Sequence, residues 1–151
     1  GGVSVGEEDH VKHAMQTLGE LNLWKVAMKP GKPLAFGKLS KAVFLGLPGN
    51  PVSSFVTFMV FGLPLIKAMR GEQSNATSGI FMPANFSATA QSIREFCRVQ
   101  IVAGRLERFA NQSSGVLSSV CWADALACIP EHRAIQVGDL LEVFPFNGFL
   151  R

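Results

Sequence analysis

Lys25, Lys29 and Lys32 fall within eight positions, and the segment Lys29-Pro30-Gly31-Lys32-Pro33 is bracketed by proline. Ammonium groups are mobile point charges that donate and never accept, so their chemistry is the binding of anionic oxygens. On one continuous strand Lys25 and Lys29 share a face with only Ala27 between them, roughly 13 Å apart at about 3.3 Å per residue. Like charges on one face repel unless water screens them or an anion lies between them. A two-anion substrate meets that need; a solvated strand face is the plain alternative. The stiff Pro-Gly-Lys-Pro turn favours binding, because two prolines fix φ beside a glycine that is free to turn.

A second constellation is Gly46-Leu47-Pro48-Gly49-Asn50-Pro51-Val52-Ser53-Ser54. A strand, a tight turn and a helix start make a seat for anions through backbone N–H groups. Pro48, Gly49, Asn50 and Pro51 are its binding candidates, and the two prolines preorganise it. The third is the opening Gly1-Gly2-Val3-Ser4-Val5-Gly6-Glu7-Glu8-Asp9. Gly2, Ser4 and Gly6 would let the backbone approach a ligand. Glu7 and Glu8 read as dipole complements of a helix start. Asp9 admits two roles, N-cap or hard oxygen ligand for Mg²⁺. Trp24 reads as core. His10, His13 and His132 read as surface residues. Arg98 reaches either a ligand or solvent, and Gln112-Ser113-Ser114-Gly115 is a hydroxyl-rich turn. No Ser/His/Asp order, GxSxG, GxxxxGK[ST] or GxGxxG pattern occurs.

The elements that must position these groups follow from periodicity. Val11, Ala14, Met15 and Leu18 form one apolar stripe, predicting a helix over 9–18 that stops at Gly19. Strands are expected over 21–29, 34–36 and 42–47. Asn50 as N-cap and Pro51 at N1 open a helix that is apolar nearly all round and kinked or split at Gly62 and Pro64. Residues 51–69 look membrane-like, but Ser53, Ser54, Thr57 and Lys67 favour a buried helix. The polar stretch 70–78 marks a domain boundary, giving domains 1–72 and 73–151. Beyond it, Cys97, Val99, Ile101 and Ala103 should face one way and Phe96, Arg98 and Gln100 the other. Further strands are expected over 125–129 and 140–144, together suggesting a small β-barrel or sandwich.

Composition is compatible with a packed core: 151 residues, 48% hydrophobic and 17% charged. A net charge of +3 suits an anionic small molecule and is too weak for nucleic acid. Cys97, Cys121 and Cys128 form no CxxC pair, which speaks for free thiols in a reducing cytoplasm. The chain opens on a glycine-rich loop with no preceding strand, which looks like a start inside a longer protein.

Three segments together resemble the molybdopterin molybdenumtransferase family, bacterial MoeA proteins and the E domain of gephyrin. They are the opening glycine-rich segment, Trp24-Lys25-Val26-Ala27-Met28-Lys29-Pro30-Gly31-Lys32-Pro33-Leu34-Ala35-Phe36-Gly37, and Phe44-Leu45-Gly46-Leu47-Pro48-Gly49-Asn50-Pro51-Val52-Ser53. The likeness continues through Arg94-Glu95-Phe96-Cys97-Arg98, Gln112-Ser113-Ser114-Gly115 and Val137-Gly138-Asp139 and covers essentially the whole chain. It implies an α/β fold, the C-terminal half of a three-layer molybdopterin-binding domain, followed by a small all-β barrel. It implies insertion of molybdate into adenylylated molybdopterin with release of AMP, assisted by Mg²⁺, in a homodimeric full-length cytoplasmic protein with no nucleic-acid or membrane partner. Asp9, Lys25 and Lys29 become the catalytic candidates. On that resemblance Asp9 would also be the metal ligand, and Gly2, Ser4, Gly6, Lys32, Pro48, Gly49, Asn50, Pro51, Arg98 and Ser114 would bind substrate. Ser113 stands where the family has glycine. Family members carry further domains upstream, so the isolated chain is expected to lack insertion activity. A gephyrin-type scaffold is the alternative, with Phe81, Phe86 and Phe149 as exposed anchors or plain core. The related adenylyltransferase lacks the C-terminal barrel, and residues 79–151 argue against it.

Overall fold

The computed structural model describes residues 10–72 and 79–146. The element order begins α1 (His10–Leu18), β1 (Glu20–Lys25), β2 (Met28–Lys29), β3 (Pro33–Leu39) and β4 (Ala42–Gly46). A single helical run, Pro51–Met69, follows as α2 (Pro51–Thr57), a π-helical turn (Phe58–Gly62) and α3 (Leu63–Met69). The second half holds β5 (Ile80–Pro83), β6 (Arg94–Val102), β7 (Arg105–Arg108), α4 (Ser118–Trp122), β8 (Ala125–Ile129) and β9 (Leu140–Pro145).

The strands form two sheets. One is three-stranded and antiparallel, in the order β1-β3-β4. The other has six strands, ordered β2-β6-β8-β9-β5, with β7 paired to β6 on the same edge as β2, further along the strand. The chain is therefore mixed α/β, as expected, but the second sheet is open in its strand pairing and closes into no barrel. Among the described residues a parallel bridge between Ala84 and Leu106 is all the pairing that links the β5 end to the β7 side.

The expected strand over 21–29 is two strands belonging to two sheets. Val26 N–H donates to the Lys32 carbonyl at 2.9 Å, and Met28 N–H to the Val26 carbonyl at 2.8 Å, a tight bend that ends β1. After it, Met28 and Lys29 pair in parallel with Arg94 and Glu95 of β6. The alternation argument that put Lys25 and Lys29 on one pleated face needed an unbroken strand, and it does not hold.

Pro51 at N1 and an extended Asn50 start α2 as predicted. The expected break at Gly62 and Pro64 is a π turn. Pro64 has no N–H to donate, and a Cβ on Gly62 would lie 2.5 Å from the Phe58 ring. By length and composition Pro51–Met69 passes for a membrane span. Its Val52, Val56 and Met59, however, pack on Met28, Phe96, Leu126 and Cys128. Phe61 and Leu65 border an apolar groove of about 470 Å³ with Val26, Leu34, Phe36 and Leu45 of the small sheet side.

Cys97, Val99 and Ile101 of β6 face a second cluster with Leu106, Ala125, Ala127, Ile135, Leu141 and Val143. Phe96 lies in the first cluster, so the predicted alternation along β6 is observed. It stops at Ala103, which has φ 48° in the turn to β7. Of the α1 stripe, Met15 is buried, while Val11 and Leu18 are exposed. Phe86 packs on the second cluster and Phe81 is 67% exposed; Phe149 lies outside the described residues.

Candidate functional site: an oxyanion cavity between the two sheets

A cavity of about 570 Å³ opens between residues 29–33, residues 48–50 with Ser53, and residues 112–114. Its first two walls are the proline-bracketed turns. Gly31 has φ +113°, a region that favours glycine, and a Cβ there would meet Thr57 Oγ1 at 2.4 Å. The lysine turn thus lies flush on α2. The Pro48 carbonyl accepts a hydrogen bond from Ser54 Oγ, which ties the second turn to the same helix.

The third wall comes from the C-terminal half. Ser114 reaches the start of α2: its carbonyl accepts the Val52 N–H at 3.2 Å, and its Oγ accepts from Asn50 Nδ2 at 3.1 Å. The helix N-terminus is therefore capped by a carbonyl from a distant loop, and Asn50 makes no side-chain cap of its own.

Lys29 and Lys32 supply positive charge to the lining, alongside the amides of Asn50 and Gln112 and the hydroxyls of Ser53, Ser113 and Ser114. Among the described residues no carboxylate and no aromatic ring lines the cavity. Such a wall suits a ligand rich in anionic oxygens, which cations and neutral donors bind together. No three His, Cys, Asp or Glu side chains gather among the described residues, and Asp9, the expected Mg²⁺ ligand, lies outside them.

Of the residues singled out in the sequence, Lys29, Lys32, Pro48, Gly49, Asn50 and Ser114 come together on this wall. Gly2, Ser4, Gly6 and Asp9 lie outside the described residues. Lys25 is described through its backbone, which pairs with Pro33 in the β1–β3 ladder. Pro51 opens α2 without lining the cavity.

Arg98 is absent from the lining as well. It is 1% exposed, and Nε donates to Ser119 Oγ at 3.0 Å. Nη2 donates to the Ser113 carbonyl at 3.1 Å and the Asn111 carbonyl at 3.5 Å. Burial lowers the pKa of this guanidinium. The expectation that it lines the cleft is corrected: its Nε and Nη2 are engaged by the protein, and it holds the 111–114 loop.

Ser53, Gln112 and Ser113 were not among the expected binding residues. The polar run Asn111-Gln112-Ser113-Ser114 was the available signal, but nothing local says which wall it faces.

An α/β half and a β-rich half thus meet at a cavity lined by two lysines and neutral polar side chains, and comparison with known proteins shows which family this chain resembles. Residues 1–68 match the family described as a probable molybdopterin binding domain, and residues 82–146 match the MoeA C-terminal region, domain IV. The chain belongs to the MoeA family of molybdopterin molybdenumtransferases. It is 35% identical to the molybdopterin molybdenumtransferase of Haemophilus influenzae over 99% of this chain and 39% of that protein. It is 35% identical to the molybdenum cofactor synthesis protein cinnamon of Drosophila melanogaster over 96% of this chain and 26% of that protein. The solved MoeA protein of Pyrococcus horikoshii superposes with a TM-score of 0.77 at 25% identity, covering 91% of this chain and 35% of that one. The chain thus spans well under half the length of these relatives.

Proposed function

We propose that this chain acts in molybdenum cofactor biosynthesis as part of a molybdopterin molybdenumtransferase. The substrates of that reaction are molybdate and adenylylated molybdopterin, and AMP is released. The observation that carries the reading is a cavity walled by Lys29, Lys32 and the neutral side chains of Asn50, Ser53, Ser113 and Ser114, with no carboxylate among the described residues, built from both halves of the chain. Lys29 and Lys32 hold tetrahedral or phosphate oxygens as point charges. Asn50, Ser113 and Ser114 orient those oxygens, and the proline turns keep the donors in place before the ligand arrives.

The same proposal includes catalytic roles for Lys25 and Asp9, backbone binding at Gly2, Ser4 and Gly6, and a domain division near residue 72. It also includes Mg²⁺ held by Asp9, a homodimeric full-length protein and a cytoplasmic location. The test is genetic. A strain whose full-length protein carries Lys29→Ala is expected to lose molybdoenzyme activity while keeping normal levels of the variant protein. Wild-type molybdoenzyme activity in that strain overturns the proposal.

A further inference from the structure

Strand β7 stops pairing with β6 at Arg108, and the Phe109 N–H makes one more backbone bond, to the Arg98 carbonyl at 3.1 Å. Beyond it the side chain of Gln112 takes the place of a strand. Its Oε1 accepts the Arg98 N–H at 3.0 Å, and its Nε2 donates to the Arg98 carbonyl at 3.0 Å and the Phe109 carbonyl at 2.9 Å. A carboxamide carries the donor and acceptor of a peptide group, so it exchanges both bonds with Arg98 as an antiparallel partner would. The chain from Phe109 to Gln112 is thereby closed into a loop anchored on β6. Ser113 and Ser114 leave that anchor directly toward α2, where Ser114 caps Val52 and meets Asn50. Arg98 holds the same loop from below through the Ser113 carbonyl.

We propose that Gln112 is a positioning residue for the oxyanion cavity: its carboxamide stands in for a missing strand and sets the Ser113–Ser114 lip against the start of α2. The inference rests on the oxyanion reading above. The lip closes a wall of the cavity only while this anchor holds. Ionised glutamate lacks the donor, and asparagine is one methylene shorter.

The test combines molybdate titration with amide hydrogen exchange on the 151-residue chain. Gln112→Met keeps the side-chain volume and removes all three bonds. It is expected to weaken molybdate binding about tenfold or more, the scale of one or two lost hydrogen bonds. It should also cost the Val52 amide its protection while amides of β8 keep theirs. If Gln112→Met does not fold, Gln112→Glu decides. Its ionised carboxylate faces two carbonyls, and its protonated form restores one donor, so Val52 protection should recover as pH falls toward the carboxyl range. Unchanged Val52 protection in the variant overturns the proposal, and so does wild-type molybdate affinity. If Lys29→Ala loses affinity and Gln112→Met does not, the positioning role alone is refuted. If the wild-type chain takes up no molybdate, the oxyanion reading is refuted, and Val52 exchange still decides whether Gln112 sets the lip.

Discussion

Lys29, the second residue of the short strand β2, stands in parallel register with Glu95, a buried acid of β6. The cation that the sequence marks for anion binding is thus placed by the C-terminal sheet, not by the strand that precedes it. Arg108 Nη2 engages Glu95 Oε1 at 2.7 Å, which neutralises the carboxylate next to that strand.

Arg108→Met should therefore destabilise the fold by about 3 kcal/mol, because it leaves a buried carboxylate without its partner. Adding Glu95→Leu in the same chain should recover most of that loss. Urea unfolding of the single and double variants measures both effects. Equal instability of the two would show that the pair is not a unit.

Gly31→Ala should cost roughly 2 kcal/mol or more. The residue has φ +113°, and the new Cβ would lie 2.4 Å from Thr57 Oγ1, so the lysine turn must lift from α2. Thermal unfolding reads the loss, and molybdate titration reads the displaced turn. A variant as stable as wild type would mean that the turn does not sit where it is described.

Burial pushes the Cys97 thiol up to about 12 from an ordinary 9.0, and the Cys128 thiol up to about 11. The neutral thiol is the folded form, and its folded pKa lies above the unfolded one. This contribution to stability is fully present below pH 9.0 and falls as pH rises from there toward about 12, by up to about 1.4 kcal/mol per pH unit per thiol. Cys97→Ala should flatten that alkaline loss. Urea unfolding on both sides of pH 9.0 measures it, and an unchanged slope in the variant contradicts it.

Much of this arrangement is legible in the residues. The Asn50-Pro51 helix start, the split at Gly62 and Pro64, strand β8 and the alternation of Cys97, Val99 and Ile101 against Phe96 all follow from local chemistry and period. The transfer of Met28 and Lys29 to another sheet does not. An extended dipeptide has the same propensities in either sheet, and only the tertiary position of Arg94 and Glu95 decides. Strands β5 and β7 are short edge strands with polar or exposed residues, so they carry little alternation to read. Arg98 looks like a ligand-binding cation in sequence because nothing nearby announces the carbonyls of Asn111 and Ser113 that fold back onto it. Gln112 was hidden for the same reason.

The most direct measurement is equilibrium binding of molybdate to the chain and to Lys29→Ala, Lys32→Ala and the double variant. Both side chains are exposed, so the variants should remain folded. Each single change should weaken binding roughly tenfold, and the double change about a hundredfold, with affinity falling as salt is raised. A double variant that binds molybdate as the wild type does would contradict the account.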